Sequence, residues 1–294
     1  MSKLREAYDH IQQEKAKWIQ GHLARNYFID QEKRYVHPFH MFGNIWYVGD
    51  SWVCVHLIDT GDGLLLIDCG NCGATAMLVQ AIWEAGFNPS DVKWIVLSHG
   101  HLDHIGGALF FRRMFGTKLY LGKPDAQDYR SRPEMSLIHE SGNLADELFE
   151  PDYEIKDGDC IRFGNTDIQF YLVPGHTAGC IAAFFDVTED GKTVRAGYFG
   201  GFGFNTMQKD FLRDIGDCGY ETRRSFLESL EKVRNQKVDL FLGNHCSNNN
   251  VLERAKKLEE GCKENPFLDD KAWGRFLDQK HDDMLKLMAD PSQN

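Results

Sequence analysis

Three histidines and one aspartate fall within six residues of the stretch Ser98–Gly107, which has the sequence SHGHLDHIGG. Residues two apart in an extended loop point the same way, so His99 and His101 can share one metal ion. If the chain then turns helical, Asp103 and His104 project toward a different point, where a second metal ion can bind. Imidazole suits zinc, and a carboxylate suits either a zinc ligand or a base that orients hydroxide. The alternative is a chance run of histidines on a polar loop, which the position beside a predicted strand end disfavours.

Two more histidines follow predicted strands further along the chain, at His176 and His245. Either one alone would more often be a core or surface residue, but three strand ends that carry such ligands favour a metal site. Six candidate ligands is the number that two four-coordinate zinc ions need if each keeps a position for water. Asp68 also ends a predicted strand, where it is either a carboxylate that orients a ligand histidine or a plain strand-end cap.

Apolar and β-branched runs predict the strands that must position these ligands, and helical periodicity appears between them, so the fold class is α/β. The predicted strands are 45–49, 53–58, 64–68, 92–97, 118–121, 160–163, 166–173, 181–185, 193–199 and 238–242. The predicted helices are 74–85, 108–115, 221–235 and a charged pair at the end of the chain.

The domain organisation follows from the same patterns. Residues 1–30 are predicted to form a charged N-terminal helical extension that packs on the domain, and residues 31–294 are predicted to form a single domain. Residues 124–152 lack periodicity, which predicts a long irregular segment of the kind that often forms a lid or substrate loop. Residues 200–220 are predicted to be a long linker rich in glycine and aromatic residues.

Composition excludes several classes of function. A net charge of -11 argues against a nucleic-acid partner, because phosphate contacts need clustered Lys and Arg. No apolar run reaches the length of a membrane span, and the N-terminal stretch is polar, so we expect a cytoplasmic protein with a small-molecule substrate and no membrane partner. Eight scattered cysteines fit a reducing compartment.

The chain resembles the metallo-β-lactamase superfamily over nearly all of residues 45–290. The resemblance lies in HxHxDH at 99–104, GHTxG at 175–179 and a final histidine after a strand. The resemblance implies a four-layer αββα sandwich and two zinc ions per chain. By position, one zinc ion would be held by His99, His101 and His176. The second would be held by Asp103, His104 and His245.

Within that superfamily the chain is most similar to the subclass B3 metallo-β-lactamases. Most members place a bridging aspartate about two dozen residues after the GHTxG histidine, and subclass B1 places a cysteine there, whereas residues 198–203 read YFGGFG. Subclass B3 also lacks that ligand, and the tail segments 265–269 and 279–280 are B3-like. B3 enzymes often carry serines that help orient the β-lactam carboxylate where this chain has Gly201 and Gly203.

The resemblance implies a zinc-dependent hydrolase, most similar to a β-lactamase, that opens a cyclic amide with metal-activated hydroxide. Asp103 would fix the second metal ion and orient the hydroxide. Lactone, thioester and phosphodiester hydrolysis remain alternatives, although the missing aspartate counts against lactonase and glyoxalase II-like members. A degenerate metal-binding module without activity is disfavoured because all six ligands are present. Residues predicted to line the substrate pocket are Phe202, Asn205, Ser247 and Asn248.

Overall fold

The computed structural model describes residues 3–21, 31–141 and 147–294. Its described part contains two β-sheets, each formed by strands that are consecutive in the chain. The first sheet has the order β1 to β7 and contains β1 (Phe39–Phe42), β2 (Ile45–Tyr47), β3 (His56–Asp59), β4 (Leu64–Ile67), β5 (Val92–Val96), β6 (Lys118–Gly122) and β7 (Tyr153–Ile155). The second has the order β12-β11-β10-β9-β8 and contains β8 (Cys160–Phe163), β9 (Thr166–Leu172), β10 (Ile181–Glu189), β11 (Lys192–Phe199) and β12 (Leu240–Leu242).

Helices precede, connect and follow these strands. They are α1 (Lys3–Gly21), α2 (Thr75–Glu84), α3 (Ala108–Phe115), α4 (Lys123–Ser131), α5 (Lys209–Asp214), α6 (Glu221–Val233), α7 (Val251–Glu259) and α8 (Ala272–Ala289). Short 3-10 turns span Gln31–Arg34, Pro89–Asp91, Pro133–Ser136, Ile138–Glu140, Asn205–Met207, Cys246–Asn248 and Pro291–Gln293. Among the helices described, none is long and apolar enough to cross a membrane.

Three apolar cores define the layers. The central core joins the two sheets, with Ile67 of β4 and Phe170 of β9 among its fully buried members. A second core packs α2 and α3 on the outer face of the first sheet, where Phe111 is completely buried. A third packs α6 and α8 on the outer face of the second sheet around Phe226 and Trp273. The architecture is therefore a four-layer αββα sandwich, as the resemblance implied.

Strand direction explains why the candidate ligands meet. Strands β4, β5 and β6 are parallel neighbours, and β11 and β12 form a parallel pair in the other sheet. The carboxyl ends of parallel strands lie at one edge of a sheet, which is where sites form in α/β proteins. Asp68 follows β4, the SHGHLDH segment follows β5, and His245 follows β12.

The prediction that residues 124–152 are irregular was wrong for their first half. The chain forms α4 and then the two 3-10 turns Pro133–Ser136 and Ile138–Glu140. The buried face of α4 carries Asp125, Ala126 and Asp128 rather than large apolar residues, so hydrophobic periodicity could not reveal the helix. The predicted linker 200–220 likewise contains α5 and one 3-10 turn.

The N-terminal helix forms over Lys3–Gly21, and residues 22–30 of the predicted extension lie outside the described residues. Tyr8 and Ile11 of this helix are largely exposed, so the predicted packing on the domain does not involve these two side chains.

Candidate metal centre

The first group of candidate ligands contains His99, His101 and His176, whose ligand atoms lie within 4.8 Å of one another. His101 Nδ1 and His176 Nε2 are 2.9 Å apart. On its other side, His176 Nδ1 lies 2.8 Å from the carbonyl oxygen of Gly203. A carbonyl oxygen can only accept, so Nδ1 of His176 carries the proton and Nε2 is left with a free lone pair.

The second group consists of Asp103, His104 and His245. The Oδ2 atom of Asp103 lies 3.3 Å from His104 Nε2 and 3.6 Å from His245 Nε2, and the two nitrogens are 3.3 Å apart. Ligand atoms about 2.0–2.2 Å from a tetrahedral zinc ion are about 3.3–3.6 Å from each other. The triangle of these three atoms therefore has the size that a single zinc ion requires.

The two groups adjoin. His99, Asp103 and His104 also fall within 4.8 Å of one another, so His99 is close to both sets. Its Nδ1 faces the Ser98 hydroxyl at 2.9 Å, whereas Nε2 is buried without a hydrogen-bond partner among the described residues. An unsatisfied buried nitrogen is costly, and a bound cation would satisfy it. The donor set of imidazoles and one carboxylate fits zinc.

Asp68 contacts the ring nitrogen of His104 that faces away from the second ligand group. Its Oδ2 lies 2.7 Å from His104 Nδ1 and accepts a hydrogen bond from the Tyr198 hydroxyl at 2.5 Å, while its Oδ1 accepts from the backbone N–H of Ser98 at 2.7 Å. The Asp68–His104 contact directs Nε2 of the imidazole toward Asp103 and His245. Asp68 is thus positioned to orient a ligand histidine, which was one of the two roles considered from the sequence.

The electrostatics of the two groups differ. Burial keeps the pKa values of His99 and His101 well below their usual range, and burial also lowers those of His176 and His245 to about 4. Burial would lower the pKa of His104 as well, but Asp103 and Asp68 outweigh it and raise the value to about 10.

Proton release on metal binding should therefore distinguish the two groups. The four histidines with lowered pKa values are neutral at pH 7, so a metal ion that binds His99, His101 and His176 displaces no proton from them. His104 is protonated at pH 7 when metal-free, so a metal ion that binds its Nε2 releases about one proton. Isothermal titration calorimetry in two buffers with different ionisation enthalpies measures this number, and release of no proton at either step would contradict the raised pKa of His104.

The contact of Asp68 with His104 yields a second prediction. The change Asp68→Asn should weaken binding of the second metal ion about 10–100-fold, because a neutral amide supports the imidazole less well than a carboxylate. Asparagine also tolerates the positive φ of 64° at this position. Chelator competition measures the affinity, and Tyr198→Phe, which removes one donor to the carboxylate, is the milder control. Unchanged affinity in Asp68→Asn would rule out this role.

Asp125, which the sequence analysis did not single out, ties two ligand-bearing loops together. One carboxylate oxygen accepts hydrogen bonds from the backbone N–H of Gly100 and from the Thr177 hydroxyl, both at 2.8 Å. The other accepts from the backbone N–H of Gly179 at 2.6 Å. The loops that carry His99 and His176 are thereby held at a fixed separation. Its sequence surroundings, KPDAQD, carry no signal of this role.

A cleft of about 320 Å³ opens beside these groups. Of the predicted substrate-pocket residues, Phe202, Asn205 and Ser247 line it. Asn248 does not; its side-chain oxygen accepts hydrogen bonds from the backbone N–H groups of Asn244 and His245, at 3.1 and 3.0 Å. Lining residues that the sequence did not indicate are Trp52, Leu102, Leu137 and Glu140.

Gly200 and Gly201, which lie where most superfamily members carry the bridging aspartate, have no room for a side chain. A Cβ atom on Gly200 would lie 2.7 Å from the carbonyl oxygen of Ile181 and 2.8 Å from that of Ser98. A Cβ on Gly201, where φ is 147°, would lie 2.4 Å from the sulfur of Cys180. The glycines are therefore required by close packing, and the described residues of this zone supply no acidic or thiol ligand.

Solved structures similar to this chain include two metallo-beta-lactamases, and the first of them, BJP-1, is described as subclass B3. The metallo-beta-lactamase BJP-1 of Bradyrhizobium japonicum has a TM-score of 0.77 at 24% identity, with 89% of this chain and 97% of the other covered. Native FEZ-1 metallo-beta-lactamase of Legionella gormanii has a TM-score of 0.77 at 25% identity, with 87% and 96% covered. Both likenesses support the sandwich fold, and BJP-1 belongs to the subclass that the sequence resembles.

Curated relatives have other activities. A hydroxyacylglutathione hydrolase, GloC of Haemophilus influenzae, is 27% identical over 221 residues, which are 74% of this chain and 93% of the relative. An N-acyl homoserine lactonase of Bacillus thuringiensis is 24% identical over 172 residues, 56% of this chain and 61% of the relative. The missing aspartate had counted against both of these enzyme classes. The chain nevertheless has detectable sequence similarity to members of both.

The relatives and structural neighbours named above are hydrolases. The sequence profile of the family described as the metallo-beta-lactamase superfamily matches residues 53–245, which contain all six candidate ligands. With this match, the two adjoining ligand groups and the four-layer sandwich, the chain belongs to the metallo-beta-lactamase superfamily.

Proposed function

We propose that this protein is a di-zinc hydrolase that opens a cyclic amide, as a subclass B3 β-lactamase does. One observation carries the proposal: two adjoining groups of ligand atoms lie at the wall of an open cleft. His99, His101 and His176 would hold one ion, and Asp103, His104 and His245 the other. When bound, zinc polarises a carbonyl group and lowers the pKa of water from 15.7 to about 7.

The side chains of the protein supply orientation and proton handling. Burial would raise the pKa of Asp103, but His104, His245 and His101 outweigh it and hold the pKa well below its usual range. Asp103 is therefore ionised at neutral pH and can accept a hydrogen bond from the attacking water. Trp52 and Phe202 flank His245, with ring centroids 5.2 and 5.6 Å from that of the imidazole, and form the aromatic side of the cleft. Asn205 and Ser247 offer hydrogen bonds to the substrate.

Thioester hydrolysis is the second candidate function. The observation that favours it is the similarity to GloC, which extends over 93% of that relative. Both reactions need attack on an acyl carbon, so the same residues would serve either one, and the difference lies in the leaving group and in the rest of the cleft.

Elemental analysis and a substrate panel test the proposal. We expect two zinc ions per chain and turnover of a chromogenic cephalosporin, with both the bound metal and the turnover reduced in His101→Ala. The panel also contains a thioester, a lactone and a phosphodiester. Two zinc ions with thioester turnover alone would select the second candidate. A metal-free protein after growth with added zinc, or no turnover of any of the four, would contradict the hydrolase assignment.

A further inference from the structure

The lining side chains other than the candidate metal ligands carry charge of only one sign. Apart from the candidate metal ligands, Glu140 is the one ionisable side chain among the described residues that line it, and no lysine or arginine is among them. The other walls are apolar or neutral: Trp52, Leu102, Leu137, Phe202, Gly203, Asn205, Asn244 and Ser247.

Two cationic side chains lie near the cleft, and each contacts an aromatic ring and a carboxylate of the protein. The Lys280 ammonium lies 4.7 Å from the centroid of the Phe202 ring and 4.0 Å from an Asp283 carboxylate oxygen. The Arg34 guanidinium lies 5.1 Å from the centroid of the Trp52 ring and 3.8 Å from an Asp50 oxygen. Neither side chain is among the described residues that line the cleft.

Glu140 ends the 3-10 turn Ile138–Glu140 and is partly buried. Within the described part of the chain, its carboxylate makes no hydrogen bond and no ion pair. A ligand that fills the cleft removes water from this carboxylate, and the loss of hydration is offset only if the ligand brings a cation or a hydrogen-bond donor.

The wall at Gly201 and Gly203 offers no hydroxyl to a substrate anion, and Ser247 carries the one side-chain hydroxyl among the described residues that line the cleft. The resemblance places serines that orient a carboxylate at Gly201 and Gly203. A Cβ atom at Gly203 would lie 3.0 Å from Cε1 of His176, and the space at Gly201 is closed by the sulfur of Cys180. Packing therefore disfavours a serine at either position, and this part of the wall is backbone.

We propose that the natural substrate of this cleft carries a protonated amine, which Glu140 receives, and carries no carboxylate close to the acyl group that reacts. This inference rests on the proposed hydrolase function and names the class of substrate that the site selects. The net charge of -11 draws cations toward the protein and repels anions.

Binding of simple thiols to the zinc-loaded full chain tests this inference without any turnover. Thiolates bind zinc, so 2-aminoethanethiol, 1-propanethiol and 3-mercaptopropionate present ammonium, methyl and carboxylate groups at similar distances from one anchor. We expect calorimetry to give the ammonium thiol about tenfold tighter binding than the carboxylate thiol, a ratio that corresponds to about 1.4 kcal/mol. The ratio should shrink as ionic strength rises.

Three variants assign the preference to its residue. Glu140→Gln should abolish the preference for ammonium, and Glu140→Lys should reverse it. Glu134→Gln is the matched control, since Glu134 lies in the preceding 3-10 turn, is exposed and does not line the cleft. Unchanged zinc content in each variant shows that the metal centre is intact.

The outcomes separate this inference from the hydrolase proposal. Equal binding of the ammonium and carboxylate thiols, failure of the ammonium thiol to bind, or a preference that survives in Glu140→Gln would each overturn it. A Glu140-dependent preference in a protein that hydrolyses no panel substrate would support the inference about charge and contradict the proposed reaction.

Discussion

Asp103→Asn is expected to lower kcat by about 10²–10⁴-fold, the range for losing a positioned proton acceptor, on whichever panel substrate the zinc-loaded protein turns over. Asparagine keeps the size of the side chain and one oxygen ligand, but it cannot accept a proton from water. It also replaces an anionic ligand by a neutral one, so the second metal ion should bind more weakly. Steady-state kinetics at saturating zinc, with the metal content measured on the same samples, checks both effects.

Asp91→Asn is the matched control for this experiment. Asp91 is exposed in the turn Pro89–Asp91, at the start of β5 and away from the cleft, so this variant should keep the kinetics and metal content of the unmodified protein. If Asp103→Asn retained full kcat with two zinc ions bound, then Asp103 would have no part in the reaction, and its place between His104 and His245 would need another explanation.

The candidate ligands could be found from sequence because they obey simple rules of geometry. They follow the strands near 97, 173 and 242, and the carboxyl ends of such strands meet at one edge of the sandwich. The alternation at His99 and His101, followed by the turn at Asp103 and His104, also predicted two separate groups. The structure brings all six side chains together.

The supporting residues could not be found in the same way. Asp125 lies on a helix whose buried face is polar, and it acts on backbone N–H groups of loops that are far away in sequence. Trp52 reaches the cleft from an irregular connection and Glu140 from a short 3-10 turn, where neither a period of two nor a period of 3.6 applies. Their placement depends on tertiary contacts, and a single sequence carries no record of those.

The close contact between Gly122 and Gly179 gives the largest expected effect on stability. Gly122 joins β6 to α4, with an ordinary φ of -53°, so its need for glycine is not torsional. A Cβ atom there would lie 2.0 Å from the carbonyl oxygen of Gly179, in the loop that follows His176. Gly122→Ala should therefore lower the free energy of unfolding by about 1–3 kcal/mol, toward the upper end because a backbone carbonyl cannot rotate away.

The same substitution should act on the metal centre, since the displaced loop carries both His176 and the N–H of Gly179 that bonds Asp125. Urea denaturation of the metal-free protein measures the stability, and chelator competition measures the zinc affinity of the first group. Gly274→Ala in α8 is the control: a Cβ there meets no heavy atom within 4 Å, so alanine should raise helix stability by about 0.5–1 kcal/mol and leave zinc affinity unchanged. Equal stability and equal zinc affinity in Gly122→Ala and the unmodified protein would mean that the two loops are not in contact, and the first ligand group would lose the support that this packing gives it.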